Sequence, residues 1–135
     1  MKIPKPKKAP SIKQLRSKAD GLWQQAVFKK WGDKCVCNQP AYCGHHFYYK
    51  GSYGHLRYDL DNGVPICSHC HFLVHTKDPK KIEDKIKEKR GDQWLKDLRL
   101  KANQTPSSYR GVKWYKENIE FLEEYINKVD YCSSK

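Results

Sequence analysis

The feature that most constrains this chain is a concentration of metal-binding side chains. Five of its six cysteines (Cys35, Cys37, Cys43, Cys67 and Cys70) and all six histidines fall between residues 35 and 75. A core of small hydrophobes and satisfied imidazoles does not gather that many such residues in one short stretch, so metal ligation is expected to organise the centre of the fold. No segment pairs a basic start with an apolar block and a small-residue cleavage site, which sets the cytoplasm as the expected compartment. In a reducing compartment clustered thiols bind metal before they form disulfides. A disulfide-rich secreted module is therefore set aside, and the histidine spacing argues against it as well.

A chain of 135 residues has room for about one core. With 38% hydrophobic and 31% charged residues and a mean hydropathy of -0.95, it has no apolar run near the roughly 20 residues of a membrane span. The formal net charge of +12 points to a polyanionic partner. That charge is uneven: residues 1–34 carry ten basic and two acidic side chains, residues 77–101 carry ten and six, and the stretches 35–76 and 102–135 each balance. Two basic stretches thus flank a neutral, metal-binding middle.

The pattern divides the chain into a basic Lys/Pro arm (1–10), a main domain with its N-terminal helix (11–104) and a C-terminal amphipathic helix (105–135). The arm has almost nothing to bury and is expected to be extended. From Ser11, whose side chain can form a capping box with Gln14, Ile12, Leu15, Ala19, Leu22, Trp23 and Ala26 recur at helical spacing as far as a stop at Gly32. Cys35 to Tyr42 reads as a knuckle or hairpin, His45 to Tyr49 as a strand, Lys50 to Asp61 as a loop, and Val64 to Ile66 as a second strand. Ser68 to Thr76 then has helical spacing, which makes a compact ββα unit. Asp78 with Pro79, and Asp92 after Gly91, are expected to cap two further helices before Thr105, Pro106 and Ser107 interrupt. Finally Val112, Tyr115, Ile119, Leu122, Ile126 and Val129 form an a/d seam, which either packs on the chain's own core or offers a surface for a homodimer. Cys132, in a polar tail, reads as a free thiol without a role.

Cys67 and Cys70 form a C-x-x-C pair at a strand-to-helix junction, a spacing that suits two thiolates on one tetrahedral zinc. The partner pair comes from Cys35, Cys37 and Cys43, with Cys35 and Cys37 the first choice and Cys43 a substitute. Structural zinc contributes roughly 10–16 kcal/mol of apparent binding energy in small domains, so here it is expected to be a folding requirement. His71 and His75, four residues apart, share a helix face, whereas His45 and His46 alternate on a strand. A site built from His45, His71 and His75 would hold three imidazoles and leave open positions, the mark of a catalytic metal.

In the frame HHF followed by YDLDNGVPICSHCHFLVH, His46, Asn62 and His71 resemble the HNH motif of the ββα-metal nucleases, and the bracketing cysteines match the zinc-containing branch. The run LRYDLDNGVPICSHCHFLVHTKDP, followed by IKEKRGDQWLKDL, is similar to phage recombination endonucleases of the NinG or Rap type; the likeness spans roughly Leu22 to Leu98. The resemblance implies a small α+β fold with a zinc-stapled ββα-metal core flanked by helices. It implies a metal-dependent endodeoxyribonuclease acting on branched DNA such as Holliday junctions or flaps, in the host cytoplasm for a phage-encoded chain. It also implies His46 as general base, His45, His71 and His75 as ligands of a catalytic Mg or Mn, and Asn62 as a brace for the loop. Two departures stand out. Many members of the family have Asp where His45 stands, which shifts the preference toward Mn or another transition ion, and their first knuckle is usually C-x-x-C rather than C-x-C.

An imidazole with a pKa near 6.5 is suited to deprotonate water for phosphodiester hydrolysis when a neighbour orients it. Asn62 before Gly63 is, by local physics alone, first of all a turn former. Phe47, Tyr48, Tyr49, Tyr53 and Tyr58 interleave with cations, of which Lys50 and Arg57 are the expected phosphate contacts. The competing readings are a non-catalytic zinc-finger DNA-binding protein and an HNH nicking enzyme without structure preference.

Overall fold

The computed structural model describes residues 9–106 and 109–133, the side chains of 130–133 excepted. Most of the Lys/Pro arm, Ser107 in the expected break and the Cys132 thiol therefore lie outside the described residues. The described residues form a small α+β fold of five α-helices and one two-stranded sheet, in the order α1 (Ile12–Trp31), β1 (Cys43–His46), β2 (Gly63–Ile66), α2 (Ser68–His75), α3 (Pro79–Arg90), α4 (Asp92–Ala102) and α5 (Val112–Ser133). Among the described residues no helix is long and apolar enough to cross a membrane.

Helix α1 begins where its sequence says it should. The Ser11 hydroxyl accepts from the Gln14 N–H, and the Gln14 side chain accepts from the Ser11 N–H. At the other end Gly32 sits at φ 92 and donates to Phe28 O, a positive-φ stop open to glycine without penalty. Leu15, Ala19, Trp23, Ala26 and Val27 form the buried stripe. That stripe packs against Tyr115, Ile119, Leu122 and Ile126 of α5, with Tyr58 and Leu60 closing the cluster. The a/d seam is thus filled by α1 of the same chain, and the surface suggested for a homodimer is not open along those four residues. Segments 11–104 and 105–135 share one core.

Strands β1 and β2 pair antiparallel, with Cys43 opposite Ile66 and His46 opposite Gly63. The first strand lies earlier than the expected His45 to Tyr49, because after His46 the backbone turns away: Phe47 N–H donates to Asn62 O and Tyr48 N–H to the Asn62 side chain. The expected loop from Lys50 to Asp61 contains two 3-10 turns, Gly54–Leu56 and Leu60–Asn62. Gly63 is the first residue of β2, at φ -97, so it needs no left-handed freedom. Its smallness serves packing instead, since a Cβ there would overlap Val27 and lie 3.0 Å from Trp23. Neither Asp78 nor Asp92 caps with its side chain; α4 starts at Asp92 itself, after Gly91 at φ 89. A second cluster, made by Val64, Ile66, Val74, Ile82 and Ile86 around the cysteines, joins the sheet to α2 and α3.

Candidate metal centres and the adjoining cleft

Cys35 and Cys37 lie on the knuckle that precedes β1, where Cys35 N–H donates to Gln39 O, Asn38 N–H donates to Cys35 O, and Asn38 takes φ 72. Cys67 and Cys70 follow β2, with Cys67 at the N-cap of α2. The four sulfurs lie within 4.8 Å of one another, and Cys37 and Cys67 are 3.6 Å apart. A zinc–sulfur bond of about 2.3 Å gives a tetrahedron with edges of about 3.8 Å, so the cluster fits a structural zinc ion. Burial raises the Cys35 and Cys70 thiols. Burial opposes ionisation of Cys67 too, but hydrogen bonding from the Cys70 N–H and the neighbouring thiols outweighs it and brings the pKa down to about 7. Of the three upstream cysteines, Cys43 stands apart: its Sγ is 3.7 Å from His71 Nδ1, beside the histidine cluster.

The second cluster is formed by His45 on β1 with His71 and His75 on α2, whose ligating nitrogens also lie within 4.8 Å of one another. His71 Nε2 and His75 Nε2 are 3.0 Å apart, near the edge of about 3 Å expected for two imidazoles on one ion. His45 is 4% exposed, and burial, then the charges of His71, His75 and His46, lower its pKa to about 3. Burial followed by His75 lowers His71 as well. Three imidazoles so placed can hold a cation, and the donor set favours a transition ion over magnesium.

His46 faces the other way. Its ring stacks on Trp23 of α1, with centroids 4.0 Å apart and planes 3° from parallel. Its Nε2 is 2.9 Å from Arg57 O. A carbonyl can only accept, so Nε2 carries the hydrogen and Nδ1 keeps its lone pair. Burial lowers the His46 pKa to about 4 against the opposing effect of that hydrogen bond, which leaves the ring neutral at pH 7. Alternation along the strand therefore separates the two histidines as expected. The sheet is so short, however, that both still line one cleft of about 440 Å³, together with His71, His75, Tyr49 and Lys50.

Asn62 is fully buried and touches no opening. Its Oδ1 accepts from Tyr48 N–H at 2.7 Å, and its Nδ2 donates to Tyr48 O at 3.0 Å and Leu56 O at 3.3 Å. It ties the segment after β1 to the one before β2, and so fixes the chain that presents Arg57 O to His46. Three indoles hold the same segment: Trp23, Trp31 and Trp94 donate to Asp59 O, Leu60 O and Asp61 O at 3.1, 2.8 and 2.8 Å. The Arg57 side chain does not reach the cleft as a free cation. It makes two bonds to Asp20, at 3.0 and 2.8 Å, while the Tyr58 hydroxyl donates to the same carboxylate at 2.9 Å. Lys50 is exposed and lines the cleft.

Asp20, Trp23 and Gln24, which joins Gly44 from α1, were not legible as site residues. On the sequence they are one more turn of an amphipathic helix, and only the packing of α1 across the sheet brings Trp23 to His46, Asp20 to Arg57 and Gln24 to Gly44. The fold and its donors define a class, a small α+β protein with a four-cysteine cluster that fits zinc beside a histidine-lined cleft. No family model, curated protein or solved structure matches the chain.

Proposed function

We propose that the protein is a metal-dependent endonuclease of the HNH type that hydrolyses DNA phosphodiester bonds, with branched recombination intermediates as its substrates. The observation that carries this reading is the placement of a neutral imidazole with a free Nδ1, His46, in the same cleft as the His45, His71 and His75 cluster. His46 is the general base: Nδ1 takes a proton from water as its oxygen bonds to phosphorus, and Nε2–H bonded to Arg57 O holds the ring as it becomes charged. One P–O ester bond then breaks, and the departing oxygen takes a proton from solvent. A divalent ion, Mn or Mg, held by His45, His71 and His75 would supply Lewis-acid polarisation of the phosphate. Lys50 binds the substrate backbone, and the excess of basic residues supplies salt-dependent, sequence-blind affinity. The four-cysteine zinc supports the knuckle and α2, and through α2 the positions of His71 and His75.

Supercoiled plasmid, linear duplex and a four-way junction, each incubated with Mg, with Mn or with neither, test this reading. The expected result is metal-dependent cleavage, faster on the junction at physiological salt and located near the branch. Binding without cleavage in every metal would overturn the enzyme and favour a zinc-stabilised DNA-binding module. Equal cleavage of duplex and junction across a salt series would remove the branch preference alone.

A further inference from the structure

A second concave site lies beside the histidine cleft and shares Tyr49 with it. It is a pocket of about 280 Å³ formed by Phe47, Tyr48, Tyr49 and Tyr53 on one side and by Glu83, Lys87, Leu95 and Arg99 of α3 and α4 on the other. The aromatic wall is fixed from behind: Phe47 packs edge-on to Trp94 with centroids 5.1 Å apart, and the Tyr48 and Tyr53 rings lie 4.8 Å apart. Tyr48 is also held through its backbone by Asn62 at 2.7 and 3.0 Å. Across from these rings stand two cations. Among the described residues neither Lys87 nor Arg99 has a carboxylate within 4.0 Å, although Glu83 lies one turn from Lys87.

We infer that this pocket is a subsite for an unpaired nucleobase, entered from the strand whose phosphate occupies the histidine cleft. Aromatic rings on one wall and cations without a carboxylate partner on the other are what a base and its flanking phosphates require. Tyr49, common to both openings, sets the base one step from the reacting phosphate. Arg99 and Lys87 meet the phosphates, and the Glu83 carboxylate accepts from donors on the base edge. Paired bases inside a duplex cannot enter, so the subsite selects DNA with an unpaired nucleotide at a flap or branch. The inference deepens the nuclease reading and rests on it for the choice of nucleic acid.

The test uses the zinc-loaded full-length chain without added Mg or Mn, and a flap oligonucleotide with 2-aminopurine as the first unpaired base. Stacking in the pocket should quench its emission. Leu95→Trp, which fills the pocket, should abolish the quench, and Arg99→Ala, an exposed position on α4, should weaken flap binding about tenfold relative to a plain duplex of equal length. Emission that does not change on binding, or a quench and flap preference that persist in both variants, would overturn the subsite. A quench in a protein that cleaves nothing with any metal would support the subsite and refute the nuclease. Cleavage of flaps with no quench would refute the subsite alone.

Discussion

Replacing Asn62 by alanine is the sharpest test of how the cleft is built. The side chain is fully buried and makes three hydrogen bonds to backbone, at 2.7, 3.0 and 3.3 Å. Alanine leaves the Tyr48 N–H and C=O without these partners in a site closed to water, at about 1–3 kcal/mol for each orphaned group, while the longer bond to Leu56 O adds less. The expected loss is about 3–5 kcal/mol. For a chain of 135 residues the entropy of unfolding converts this into a fall in Tm of roughly 10–18 °C. Asn62→Asp keeps the volume and the acceptor for Tyr48 N–H, but it turns a carboxylate oxygen toward two carbonyls, so it should be at least as damaging near neutral pH. Thermal and urea unfolding of the zinc-loaded protein, with zinc content measured on the same samples, gives the answer. A Tm for Asn62→Ala within about 3 °C of the parent would refute the argument that this residue pins the segment carrying Arg57. It would also turn attention to a direct role for Asn62 in the chemistry. With the segment pinned, the folded fraction of the variant should cleave more slowly, with kcat lowered and KM little changed, because the residue positions His46 and touches no substrate.

Other expected outcomes follow from the same geometry. His46→Ala should abolish cleavage with zinc content and DNA affinity nearly unchanged; parental cleavage rates would remove it as the base. Cys67→Ser and Cys70→Ser should each lose the zinc and unfold the central region, whereas Cys43→Ser should keep the metal; metal analysis with circular dichroism reads both. Arg57→Ala and Asp20→Ala should both lower stability, Asp20→Ala by more because it also strips the Tyr58 hydroxyl of its acceptor. Both should leave the salt dependence of DNA binding unchanged, whereas Lys50→Ala should reduce the slope of log affinity against log salt by about one. Burial holds the His46 pKa at about 4, below the value near 6.5 of the unfolded chain, so the unfolded state takes up the proton first. The stability linked to this group is therefore complete above pH 6.5 and is lost as pH falls from there through about 4. Urea midpoints in His46→Gln, compared with the parent across that range, should show the smaller pH dependence, and parallel curves would contradict the assignment.

Much of the local order is written in neighbouring residues. The Ser11 and Gln14 capping box, the helix stop at Gly32, the C-x-x-C at the start of α2 and the four-residue spacing of His71 and His75 act over one or two turns, so a single sequence exposes them. The seam from Tyr115 to Ile126 was equally plain as a pattern. What the pattern could not name was its occupant, because hydrophobic burial is non-directional and a second copy would satisfy it as well as α1 does. Tertiary structure also decided between Cys37 and Cys43: the knuckle turn brings Cys35 and Cys37 to the C-x-x-C pair, while Cys43, already on the strand, lies beside His71. Arg57 shows the same limit from the other side. A cation near a motif suggests a phosphate contact, yet Asp20, 37 positions away, claims it. Whether an arginine is available to a ligand depends on which carboxylate the folded chain brings within reach, and chain separation carries no information about that. The proton on His46 is decided in the same way, since the carbonyl that holds Nε2–H and leaves Nδ1 free belongs to a residue held there by tertiary contacts, the buried hydrogen bonds of Asn62 and the ion pair with Asp20 among them.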